Sequence, residues 1–80
     1  MKGENSIMNK NMIENIWRSA SEMFKNTSTI IIVDRNGRKN RYLRSDDNHF
    51  YDERMNERIH IFQMYLKYRS ALIYNEVYMI

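Results

Sequence analysis

The dipeptide Asn36-Gly37 limits this chain more than any other feature. It follows the β-branched run Ile30-Ile31-Ile32-Val33 and precedes the cationic segment Arg38 to Arg44. Asn-Gly supplies the positive φ of a tight hairpin turn, so an apolar strand is expected to pair with a basic one. Two registers fit. With Asn36-Gly37 alone as the loop, Ile31 faces Tyr42, Ile30 faces Leu43, and Asp34 sits opposite Lys39 as a cross-strand ion pair. With a type I turn opened by Asp34 and Gly37 as a left-handed bulge residue, Ile30 faces Tyr42 and Ile32 faces Asn40. The first matches apolar with apolar and is the expected one.

On either side of the hairpin the period becomes helical. Met12, Ile13, Ile16, Trp17, Ala20, Met23 and Phe24 form one stripe, which predicts an amphipathic helix from about Asn11 to Lys25. Asn11 followed by Glu14 resembles a capping box, and Asn26 suits the left-handed position after the last turn. Residues 1–10 are polar and aperiodic, which predicts a flexible N-terminal end.

After Arg44, Ser45-Asp46-Asp47-Asn48 is rich in cap residues, and Asp52 and Glu53 favour a first helical turn. A long second helix is expected to begin there. It would carry two stripes, one of Tyr51, Met55, Ile59, Phe62, Leu66 and Ile73 toward the core, the other of Ile61, Tyr65, Tyr68 and Leu72. The second stripe has no evident intramolecular partner. Residues 73–80 have strong β propensity, so either the helix runs on or it stops between Tyr68 and Leu72 and the tail adds a third strand beside the hairpin. The expected fold class is α+β: helix, β-hairpin, long helix, with or without a short C-terminal third strand. Residues 11–80 would form a single small α+β domain.

Composition narrows the function classes. With 80 residues the core is thin, since a chain of this size buries only about 60% of its unfolded surface. The absence of cysteine excludes disulfides, thiolate metal sites and a cysteine nucleophile. No apolar run approaches the roughly 18 residues of a membrane span, and the first residues lack the apolar segment of a signal peptide, so no membrane is implied and the cytoplasm is the expected location. The acidic group Asp46, Asp47, Asp52, Glu53 and Glu57 lacks EF-hand spacing. Glu57-x-x-His60 would place a carboxylate and an imidazole one helical turn apart, but two helices cannot complete a di-metal cage. His49 near Asp46 or Glu53 could serve as an acid/base pair. No serine sits in a nucleophile elbow, and two glycines cannot build a phosphate cradle. A non-enzyme without cofactor is expected.

The net charge of +3 is mild, but its distribution is not. Residues 34–44 carry five positive charges and one negative, and residues 45–60 carry two positive and five negative. Arg35, Arg38, Lys39, Arg41 and Arg44 on the hairpin, with Tyr42 between them, are therefore candidates for contact with a protein target that has an acidic surface. A solvated edge strand kept soluble by its cations explains the same residues. Nucleic acid is the alternative partner, with phosphates gripped by the cations and Tyr42 as a stacking surface, although no helix-turn-helix, zinc-finger or RNP signature is present. Tyr65 and Tyr68 complete either a shallow core or an interface, in the latter case as an aromatic helix face that joins the hairpin in occupying the target or that forms a homodimer through the second helix. In size and composition alone, the chain resembles the small inhibitors that phages and plasmids encode against host defence enzymes such as CRISPR effectors. That likeness implies a non-catalytic inhibitor or adaptor and covers no motif.

Overall fold

The computed structural model describes residues 14–80, so the N-terminal end expected over 1–10 and the Asn11 cap lie outside the described residues. Helix α1 covers residues 14–23. It is followed by β1 (Thr29–Val33), β2 (Lys39–Asp46), β3 (His49–Asp52), β4 (Glu57–His60), helix α2 (Ile61–Tyr74) and β5 (Glu76–Met79). The strands form one antiparallel sheet in the order β4-β3-β2-β1-β5. The fold class is α+β, and the tail supplies a C-terminal strand beside the hairpin.

Three aspartates turn the meander, each accepting the amide two residues ahead, a bond that competes with helix and stabilises a turn. Asp34 Oδ1 accepts from the amides of Asn36 at 2.8 Å and Arg38 at 3.0 Å. Asp46 Oδ1 accepts from Asn48 at 2.9 Å. Asp52 Oδ1 accepts from Arg54 at 3.1 Å and Met55 at 3.2 Å. In the third turn Asn56 takes the left-handed conformation, φ 55°.

The first turn overturns the expected register. Ile30 lies opposite Tyr42, Ile32 opposite Asn40 and Val33 opposite Lys39, so the Asp34–Lys39 pair does not form. Asp34 is committed to the turn instead. Its carbonyl accepts from the Gly37 amide at 3.0 Å, its own amide donates to the Arg38 carbonyl at 3.0 Å, and Gly37 sits at φ +79° as the bulge residue. Serving two amides, the carboxylate favours a five-residue turn over the two-residue one.

The long second helix does not begin after Asn48. Residues 49–60 form the β3–β4 hairpin, and α2 starts only at Ile61. Asp46 ends β2 and Asp47 and Asn48 form the turn, because the oxygen that caps a helix closes an Asx turn equally well. His60 is the actual cap: its Nδ1 accepts from the Phe62 amide at 3.1 Å, while Gln63 Oε1 accepts from the His60 amide at 3.2 Å. Asn26 does not take the left-handed position, since Asn56 is the positive-φ residue other than glycine among the described residues.

Alternation along the strands puts Ile30, Tyr42, Phe50 and Ile59 on one sheet face, where both helices cover them. Ala20 and Phe24 enter from α1; Ile61, Met64, Tyr65 and Ala71 are the buried residues of α2. The two stripes of α2 are thus exchanged relative to expectation. Tyr65 faces the core, while Leu66 and Ile73 are exposed. Phe24 is the hub, edge-on to Phe50 at 5.4 Å, Tyr68 at 5.9 Å and Tyr65 at 6.5 Å.

Asp52 is buried at 1% exposure with its oxygen bound to two amides. Asp52→Ala leaves both donors unpaired and is expected to lower unfolding free energy by about 2–3 kcal/mol. Asp52→Asn keeps an acceptor oxygen while removing a buried charge, and is expected to stay within about 1 kcal/mol of wild type in urea denaturation.

Candidate partner-binding surface

The turn that Asp34 closes forms the tip of the β1–β2 hairpin, and Arg35, Arg38 and Lys39 are exposed there. None of the three has an ion-pair partner among the described residues. Strand alternation sets Lys39, Arg41 and Leu43 on one face of β2 and Asn40, Tyr42 and Arg44 on the other. Lys39 and Arg41 therefore share the face opposite the helices, with Val33 and Ile31 as their neighbours on β1. Leu43 and Tyr51 are paired on that same face, as are Ile31 and Tyr78, and no described helix covers it. Arg41 is not free, since its Nε lies 2.8 Å from Glu53 Oε1.

The remaining candidates point inward. Arg44 threads its guanidinium between the end of α1 and the β2–β3 turn. Its Nε donates to the Thr27 carbonyl at 3.0 Å, Nη1 to the carbonyls of Asp47 at 3.2 Å and Asp46 at 3.4 Å, and Nη2 to the Phe24 carbonyl. The same group lies 4.6 Å from the Phe50 ring centroid, a cation–π contact. Arg44 is a structural clamp.

Tyr42 is 4% exposed, and its hydroxyl accepts from Asn40 Nδ2 at 2.7 Å. Burial, followed by the negative charge of Asp52 across the strands, raises its pKa above the ordinary 10.0. Tyr65 is also buried, its hydroxyl accepting from Arg69 Nη1 at 3.1 Å, and Tyr68 is half-buried against the core. These tyrosines complete the core, and a helix-to-helix dimer loses the face on which that expectation rested. Register is the signal that separates them: every second residue of β2 faces the helices.

The acidic and histidine clusters resolve into local roles. His49 Nδ1 and Asp46 Oδ1 are 2.8 Å apart, and Arg58 Nη1 lies 3.5 Å from Asp46 Oδ2. The hydrogen bond from His49, then that from the Asn48 amide, hold the Asp46 carboxyl below its usual value. This pair sits in an open turn rather than a cleft. Glu57 and His60 lie on strand β4, where a spacing of three sends them to opposite faces, so the helical arrangement does not arise. The His60 ring stands 5.1 Å from His49 and 4.6 Å from Trp17, with Nδ1 occupied in capping α2. Among the described residues no group of three or more His, Asp or Glu side chains could hold a metal ion, and no helix is long and apolar enough to cross a membrane.

The fold and this surface define an α+β protein with a cationic hairpin and one sheet face that no described helix covers. No protein-family model matches the chain, and the searches of curated proteins and of solved structures found no significant similarity.

Replacing Arg44 by methionine preserves the stem but leaves four carbonyls without their cationic donor. A loss of about 3 kcal/mol in unfolding free energy is expected, measured by chemical denaturation. Because the pKa of Tyr42 is raised by folding, the stability linked to it is intact below pH 10.0 and declines as pH rises through the folded value. Asp52→Asn removes one of the two causes. NMR titration of the Tyr42 ring carbon is therefore expected to show ionisation at a lower pH in this variant than in wild type.

Proposed function

We propose that the protein is a small non-catalytic binding module, an inhibitor or adaptor whose hairpin arm docks on a protein target with an acidic surface. The observation that carries this reading is the set Arg35, Arg38 and Lys39, three exposed cations without a described counter-ion at the end of an arm stiffened by the Asp34 turn. Charges held outward on a pre-ordered arm lose little entropy on docking and speed encounter with an oppositely charged face. Arg41 and the uncovered sheet face border the arm and extend the contact. The likeness in size and composition to phage and plasmid anti-defence inhibitors makes CRISPR effectors the first targets to assay. A nucleic-acid-binding regulator is the rival, because the same cations could meet phosphates.

Co-purification from the native host with wild-type chain and with the Arg35→Glu/Arg38→Glu/Lys39→Glu variant, followed by reconstitution with the captured protein, tests the reading. Charge reversal is expected to weaken the reconstituted complex on the order of 100-fold while leaving circular dichroism unchanged. Equal affinity of the two forms refutes the hairpin as the docking arm. Affinity for DNA or RNA that falls steeply with salt would transfer the function to the rival.

A further inference from the structure

The two edges of the sheet are built differently. On β4, Glu57 and Arg58 are charged and exposed, which protects an edge against pairing. On β5 and the helix end leading into it the surface is apolar. Of the nine large apolar side chains left exposed among the described residues, six, Leu72, Ile73, Tyr74, Tyr78, Met79 and Ile80, fall within residues 72–80. Leu72, Ile73 and Tyr74 belong to α2 and Tyr78 to the sheet face opposite the helices, so apolar side chains flank the β5 edge from both sides.

The backbone of that edge is also open. Thr29 and Ile80 exchange two hydrogen bonds, Ile80 N–H to the Thr29 carbonyl at 2.9 Å and Thr29 N–H to the Ile80 carbonyl at 3.2 Å. Bonding alternates along an antiparallel ladder, so Tyr78 and Glu76 turn their groups to β1, and Val77 and Met79 turn theirs outward. Among the described residues no strand pairs with this outward side.

We infer that β5 pairs antiparallel with β5 of a second copy of this chain about a two-fold axis at Tyr78, joining two sheets into one of ten strands. In this register Val77 lies opposite the partner copy's Met79 and the reverse, so all four outward groups of each strand are satisfied. The two Tyr78 rings meet as a cross-strand aromatic pair. Glu76 falls opposite Ile80 rather than its own copy, so no like charges face one another. An isologous contact of this kind closes at two copies, and the charged β4 edge limits further growth. The contact is independent of what the hairpin arm binds.

Sedimentation over a concentration series is expected to show a dimer for the wild-type chain. Met79→Pro deletes an outward N–H and spares the β1–β5 ladder, and is expected to be monomeric with an unchanged circular dichroism spectrum. Tyr78→Lys and Tyr78→Glu are each expected to be monomeric alone, by repulsion across the axis, and to form a mixed dimer when combined. The mixing experiment decides by itself if the proline variant fails to fold. A wild-type chain that is monomeric at every concentration, a dimer that survives Met79→Pro, or folded Tyr78 variants that do not associate on mixing overturns the inference.

Discussion

An aspartate oxygen accepting the backbone amide two residues ahead is the interaction on which this molecule is organised. It recurs at Asp34, Asp46 and Asp52, once in each turn of the four-stranded meander. A thin sheet has little apolar area with which to correct a wrong register, so the turns must select it. At the first turn the choice is visible. The Asp34 carboxylate serves two amides, and with Gly37 left-handed it shifts the pairing so that Ile30 and Tyr42 both face the helices. The arm that carries the exposed cations and the face that carries the core thus share one origin.

Polar side chains also join the layers. Arg44 binds the carbonyls at the end of α1, where a helix leaves acceptors without partners, and reaches those of the β2–β3 turn with the other side of its fork. Its position over Phe50 lets the charge lie against the core without separation from hydrogen-bond acceptors. Asp52 and Tyr42, opposite each other on β3 and β2, place a carboxylate and a phenol on the buried face. The region most basic in sequence thus contributes one side chain, Tyr42, to the core and a second, Arg44, to the seam between its layers.

How far the fold could be read in advance follows from these residues. Ile30 to Val33 with Asn36-Gly37 announced the hairpin because β-branching and a left-handed glycine have few other uses together. Residues 45–60 did not announce a second hairpin. Asp46, Asn48 and Asp52 carry the same oxygen chemistry at a helix start and in an Asx turn, and Tyr51, Met55 and Ile59 fit a period of four while alternation in β3 and β4 is only four residues long. Misplacing the start of α2 exchanged its two faces, which is why Tyr65 looked available to a partner. On the candidate surface, the exposure of Arg35 and Arg38 was legible because turn residues stay wet, and that of Lys39 because it opens its strand beside them. Arg44 was not, since nothing local distinguishes a solvated arginine from one that clamps a helix end.

The position of β1 carries a further consequence. It lies between β2, made directly after it, and β5, whose pairing closes a loop from Thr29 to Ile80. During folding β2, β3 and β4 can assemble with β1 through short turns, yet one side of that isoleucine-rich strand stays bare until residues 76–80 reach it. Closing so long a loop is the slowest kind of contact for a small chain. Until β5 docks, the folding chain carries an isoleucine-rich strand with one unpaired edge, the kind of edge through which chains associate wrongly.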